Sequence, residues 1–258
     1  MNCQKKLTKT ILLTIALIIL CVSIAFAEMT QETQFIRRET DFETPVYIFK
    51  TSVETPVVLI IAGTHGNEPA GIAATKILKD NLKISRGTLL IIPNANILAC
   101  KKEMRSYPNG INLNRVYPGN EKGNEVEKIA FEIFNIMKKY HVDFLLDLHE
   151  SREFYKINSQ NYGQTIVLDC CDNSMLQMCS SIADQLNEEI DNQQEKFEVL
   201  MKPIEGCATY AASCQLNIPA FTFETCKKLS LKKRVETQIR LVQIVLSGLG
   251  LIEIDISE

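Results

Sequence analysis

Histidine is scarce in this chain, with three in 258 residues, so a site built on imidazole must draw on His65, His141 and His149. No stripe of basic residues is present and the formal net charge is −3, which argues against nucleic acid as a partner. The only basic cluster, Lys227-Lys228 with Lys232-Lys233-Arg234, begins a helical stretch and reads as a solvated face. No Cys-x-x-Cys pair occurs. Of nine cysteines, Cys3 and Cys21 fall in the leader described next, which leaves an odd seven. That argues against a structural zinc site and against a fully paired disulfide framework. A cysteine nucleophile lacks a dedicated base once His65 and His149 are engaged elsewhere. There is no internal repeat, no low-complexity tract and no linker long enough to divide domains.

The apolar run Ile11 to Val22 is short for a membrane span. It follows Lys5, Lys6 and Lys9 and precedes Ala25-Phe26-Ala27, a small-x-small cleavage pattern before Glu28. Residues 1–27 therefore read as a signal peptide and 28–258 as one exported catalytic domain. Membrane contact is expected only if the segment is kept as an anchor. Cys21 follows Leu20 rather than a small residue, which argues against a lipoprotein site. Cleavage removes three lysines and no acid, taking the net charge from −3 to about −6.

What is present centres on Val57 to Gly71. Val57-Val58-Leu59-Ile60-Ile61-Ala62 reads as a strand buried on both faces. Gly63, Gly66, Asn67 and Pro69 then break it into a turn and a helix start. His65 and Glu68 lie just past the strand's carboxyl end, where open α/β sheets place their sites. Together they can bind one metal ion, with glycine letting the turn fold tightly. A catalytic zinc site needs a third protein ligand. Val142 to Leu148 is a second apolar strand, and His149 at its end would reach the same sheet edge. His65, Glu68 and His149 with an open fourth position make a hydrolytic zinc set, in which manganese or cobalt could substitute. His141 follows a helical run and reads as a surface residue.

Strands are expected at 46–49, 57–62, 88–92, 142–148, 164–168, 197–201 and 220–224. Helices are expected at 70–82, 125–140, 174–190, 207–216 and 231–246, the last with Gly248 as a stop just beyond it. The alternation predicts one α/β domain: a mostly parallel mixed sheet with helices on both faces. The least regular part, Ala99 to Asn124, is long enough to suggest function. In it Asn114-Arg115 can present an amide and a guanidinium fork to a substrate carboxylate, and Arg105 can stabilise an oxyanion. Glu224 ends the last strand and suits a general base that later acts as acid.

The segments Gly63-Thr64-His65-Gly66-Asn67-Glu68, Gly110 to Gly119, Asp147-Leu148-His149 and Phe221 to Glu224 together resemble the succinylglutamate desuccinylase/aspartoacylase family of the zinc carboxypeptidase superfamily. The resemblance implies zinc (one ion) on His65, Glu68 and His149. It implies Glu224 as base and acid, Arg105 polarising the scissile carbonyl, and Asn114 and Arg115 gripping a carboxylate. The implied reaction is hydrolysis of an amide in a carboxylate-bearing N-acyl amino acid. The alternatives are a carboxypeptidase acting on cell-wall or other peptides, and a zinc-binding module without catalysis. Two departures stand out. Asn112 replaces an aspartate that would accept from the first zinc histidine, and a neutral amide raises ligand basicity less, unless Asp147 compensates. Only about one helix and a short tail follow Glu224, where relatives often carry a further β domain, so a more open site is expected.

Overall fold

In the central strand β3 (Val57–Ala62) all six residues are buried, and alternation divides them between two cores. Val58, Ile60 and Ala62 face one core and Val57, Leu59 and Ile61 the other. Each such aliphatic side chain contributes about 1.5–3 kcal/mol on burial. This computed structural model describes residues 29–253. The leader expected over residues 1–27 lies outside the described residues.

The other strands are β1 (Thr30–Ile36), β2 (Thr44–Lys50), β4 (Thr88–Ile92), β5 (Phe144–Ser151), β6 (Thr165–Leu168), β7 (Glu198–Met201) and β8 (Ala220–Cys226). They form one eight-stranded sheet in the order β1-β2-β4-β3-β5-β8-β6-β7. Pairing is parallel from β4 through β3 and β5 to β8, and again between β6 and β7. It is antiparallel at β1–β2, β2–β4 and β6–β8. The expected α/β architecture with a mixed, mostly parallel sheet is the one observed.

Helices cover both faces. On one side lie α1 (Pro69–Asn81), α4 (Asn173–Asn187) and α6 (Leu231–Gly248), against Ile60, Leu146, Phe221 and Phe223. On the other lie α3 (Glu125–Lys139) and α5 (Ala208–Tyr210, continued by a π turn to Gln215), against Leu59, Ile61 and Leu145. A short helix, α2 (Ile97–Lys101), follows β4. Asn124 and Glu127 cap α3 reciprocally, satisfying N–H groups that a helix start leaves free. α3 ends before His141, which is exposed with φ at +50°. Gly248 is the last residue of α6 rather than a stop beyond it; the left-handed glycine is Gly250, at φ +74°.

Beyond β3 the chain turns at Gly63, which has φ +68°. Gly66 is required for a different reason. A Cβ there would lie 1.9 Å from the Ala99 carbonyl oxygen, because the turn rests against the backbone of α2. Gly66→Ala is expected to lower unfolding free energy by about 3 kcal/mol or more. Urea denaturation reads this directly, and an unchanged midpoint would show that the turn can move away from α2.

Candidate metal centre and active site

His65 and Glu68 are placed by the turn after β3, closed by the Glu68 N–H donating to the His65 carbonyl at 3.2 Å. His149 belongs to the parallel neighbour β5, which continues to Ser151, so the histidine lies within the strand rather than at its end. The three side chains are almost fully buried. One donor atom from each lies within 4.8 Å of the others. His65 Nδ1 is 2.8 Å from Glu68 Oε1, and His149 Nδ1 is 2.8 Å from Glu68 Oε2. The far nitrogens are engaged outward, His65 Nε2 with Asn112 Oδ1 at 3.0 Å and His149 Nε2 with Asp147 Oδ2 at 2.9 Å. Both acceptors favour a proton on Nε2 of each ring, so Nδ1, beside Glu68, is the atom each histidine would offer to a metal ion. Two imidazole Nδ1 atoms and one carboxylate are the donor chemistry of a divalent zinc-type ion.

Electrostatics in this cluster are tightly coupled. Burial would raise the Glu68 carboxyl, but His65 and His149 outweigh it and hold the group well below the usual carboxylate range. Burial would lower His149, but Asp147 and Glu68 overcome it, and the imidazole stays protonated well above its usual range. Burial dominates at His65, which is lowered despite Glu68.

Asn112 and Asp147 thus divide the orienting work unequally, a neutral amide behind one histidine and a carboxylate behind the other. Asn112→Asp is expected to tighten zinc binding roughly tenfold by making His65 more basic. Competition with a chromogenic chelator measures this, and equal affinity would mean that Asp147 alone sets ligand basicity.

Glu224 sits on β8 in direct register with His149. It is half-buried, yet its Oε2 atom is enclosed and has no hydrogen-bond partner. Arg105 reaches in from the loop after α2 and donates from Nη1 to Glu68 Oε1 at 3.0 Å, with half its side chain exposed. Asn114 is buried on a short 3₁₀ turn, Leu113–Arg115. Its Oδ1 accepts from the Ala208 N–H at 3.1 Å, and its Nδ2 lies 3.3 Å from His149 Nε2. So its amide oxygen is already taken, and only the amide nitrogen faces the site. Arg115 beside it is exposed. His65, Arg105, Asn114, Arg115 and Glu224 line one cavity of about 60 Å³, together with Tyr162, Val167, Asp169, Ile204, Cys207 and Thr222. It is small, not the broad opening expected from the short tail. Two roomier grooves, one of about 600 Å³ near Asp143 and Pro219 and one of about 720 Å³ beside Gly66 and Pro69, hold none of these groups.

Several supporting residues escaped the sequence reading. The Glu150 N–H donates to Glu68 Oε2 at 3.1 Å, and the Glu150 carboxylate accepts from the Ala70 N–H at 2.9 Å and from Arg234. Lys227 donates to the Asn67 carbonyl at 2.8 Å. Gln238 Nε2 donates to the His149 carbonyl at 3.1 Å and to Thr225 Oγ1 at 3.0 Å. Two members of the basic cluster expected to be a solvated face, Lys227 and Arg234, therefore brace the ligand turn instead. Their signal in sequence was at most the isolated glutamate after His149. A disulfide joins Cys170 to Cys214, tying the end of β6 to the π turn after α5; Cys100, Cys171, Cys179, Cys207 and Cys226 are free.

Residues 54–246 match the succinylglutamate desuccinylase/aspartoacylase catalytic domain. The chain belongs to that family. An N-alpha-acetyl-L-2,4-diaminobutyric acid deacetylase of Halomonas elongata is 38% identical over 108 residues, covering 41% of this chain and 31% of that protein. Among solved structures, the product-bound ectoine utilization protein EutE (DoeB) of Ruegeria pomeroyi superposes with a TM-score of 0.69 at 20% identity, over 89% of this chain and 70% of that one. The tripeptide-bound cell shape determinant Csd4 of Helicobacter pylori gives 0.69 at 18% identity, over 88% of this chain and 56% of that one. These two establish a shared fold. The chain spans about a third of the deacetylase's length and little more than half of Csd4's.

Proposed function

We propose that this family member is an exported, zinc-dependent amidohydrolase that removes an acyl group from an N-acyl amino acid. The observation that carries the reading is Glu224 in register with His149: a second carboxylate beside the buried cluster of His65, Glu68 and His149. His65, Glu68 and His149 would hold the ion. When bound, it would act as a Lewis acid on the scissile carbonyl and on water. Glu224 takes a proton from the attacking water and returns it to the leaving amine. Arg105 can swing from Glu68 to the developing oxyanion, and Arg115 meets the substrate carboxylate. The Asn114 amide nitrogen narrows the approach beside His149. Membership of a deacylase family and the deacetylase relative support the acyl-amino-acid substrate.

The same groups suit a peptide with a free carboxylate. On that side stands the fold shared with Csd4, described for that protein as a D,L-carboxypeptidase. Zinc-loaded protein, assayed for released amine on N-acetyl amino acids and on short peptides, separates the two. Chelator-sensitive deacylation without peptide trimming supports the leading reading. Trimming alone moves it to the second, and no turnover of either kind leaves a binding module.

A further inference from the structure

Two residues that follow β6 belong to different surroundings. Asp169 is almost fully buried and lines the cavity that also holds Glu224 and Arg115. Cys170 is exposed and lines the separate groove near Asp143 and Pro219. Its disulfide partner, Cys214, is half-buried on the π turn after α5. The bridge thus lies at the surface, one residue from the wall of the candidate active site.

Asp169 and Cys170 hold the segment 204–214 at four points. Asp169 Oδ1 accepts from the Ile204 N–H at 2.7 Å, and Oδ2 accepts from Thr209 Oγ1 at 2.7 Å. The Cys170 N–H donates to Ser213 Oγ at 3.3 Å, and Cys214 is bonded to Cys170 itself. The same segment seats the turn that carries Asn114 and Arg115. The Ala208 N–H donates to Asn114 Oδ1 at 3.1 Å, and the Tyr117 N–H donates to the Gly206 carbonyl at 3.0 Å. Contact is close enough that a Cβ on Gly206 would lie 2.4 Å from the Arg115 carbonyl oxygen. Asn114 and Arg115 therefore take their places from residues 204–208, and these take theirs from the end of β6. The hydrogen bonds in this path can break singly, whereas the disulfide is a covalent tie between residues 44 apart in sequence. The metal donors stand elsewhere, on the turn after β3 and on β5, where the Glu150 N–H and Gln238 brace them.

We infer that the Cys170–Cys214 disulfide positions the substrate-binding turn, so that its reduction loosens Asn114 and Arg115 and spares the metal donors. The fold then carries a redox-sensitive control of substrate binding, separate from metal binding. This rests on the reading of Arg115 as the partner of the substrate carboxylate. Reduction by a phosphine has a simple balance. Phosphorus gives two electrons to the S–S bond and takes the oxygen of one water as phosphine oxide, and the two hydrogens of that water end on the two thiols.

The test measures zinc-loaded wild type before and after phosphine treatment, on the N-acetyl amino acid that it turns over fastest. Among the described residues this is the one disulfide, so the reductant has a single target there. Reduction is expected to raise KM about tenfold, with kcat within about twofold and zinc content unchanged. Cys170→Ser combined with Cys214→Ser should show the raised KM from the start and ignore the phosphine. Reduction of folded wild type decides the matter if that double variant does not fold. An unchanged KM, with reduction verified by thiol titration, overturns the proposal. So does loss of zinc, or a fall in kcat at constant KM, because neither is a failure of substrate binding alone. Hydrogen exchange supplies a readout that needs no turnover. Amides of residues 112–117 and 204–214 should exchange faster in the reduced chain, while those of residues 57–68 and 144–150 keep their protection. That pattern in a chain that hydrolyses nothing sustains the positioning role and sinks the amidohydrolase. Exchange that is unchanged, or faster throughout the chain, overturns the positioning role.

Discussion

Glu224→Gln is expected to cut kcat roughly a thousandfold while leaving one zinc ion per chain. The side chain is isosteric, so the backbone register with His149 and the three donors are undisturbed. Only the capacity to take and return a proton is lost. Burial pushes the Glu224 carboxyl up to about 8; His149 and Arg105 oppose the shift, and Glu68 and Asp147 add to it. A general base must be deprotonated, so this group is poorly set for its role until a cation arrives. An ion on His65, Glu68 and His149 draws it down. The infrared carboxyl band of Glu224 should therefore disappear near pH 8 without metal and at lower pH with it. Below that lower value kcat/KM should fall as pH falls, because the base is protonated. A Gln variant that turns over substrate at the wild-type rate removes Glu224 from proton transfer.

His149→Ala is expected to empty the site of metal and abolish activity. Loss of an orienting partner alone typically costs ten- to a hundredfold in affinity, and loss of a donor costs more. Elemental analysis of purified protein gives the answer. About one zinc in wild type and almost none in the variant is the expected pair of values. Equal content would mean that His149 is no ligand. The same residue sets the pH response of wild type. Asp147 and Glu68 keep the metal-free imidazole protonated, so an incoming ion must displace that proton. Zinc affinity should tighten as pH rises, about tenfold per pH unit while one proton is released, and weaken as pH falls. A pH-independent affinity would mean that His149 already stands neutral before the ion arrives.

The legible parts of this molecule were those encoded locally. β3 announces itself by six apolar residues, and the turn beyond it by glycines and a proline that little else would tolerate. His65 and Glu68 share that turn, so their convergence followed from one short segment. β4 has the bounds its run of aliphatic residues implies, and α3 is anchored by a cap readable in place. β1 was missed because Thr30-Gln31-Glu32-Thr33 is polar and exposed; it exists through pairing with β2 at the sheet edge. Asp169 was missed because an aspartate after a short apolar strand looks like a turn residue until β6 is laid antiparallel to β8. The Cys170–Cys214 bridge, and the inward turn of Lys227 and Arg234, depend on which distant segments meet. One-dimensional charge patterns cannot encode that. Gly66 shows the converse: its need was legible, but its cause is a neighbouring helix and not its own dihedral angles.

Helix α6 gives the order of assembly a constraint. Arg234 on this helix pins Glu150, and Gln238 pins the carbonyl of His149, across more than eighty residues of sequence. A chain emerging from a ribosome presents His65, Glu68 and His149 well before residues 231–248 exist to brace them. Until then the three donors lack the braces that Arg234 and Gln238 supply. Contacts of this range form late and slowly. An ion held by His65, Glu68 and His149 would therefore meet a braced site only once α6 has docked.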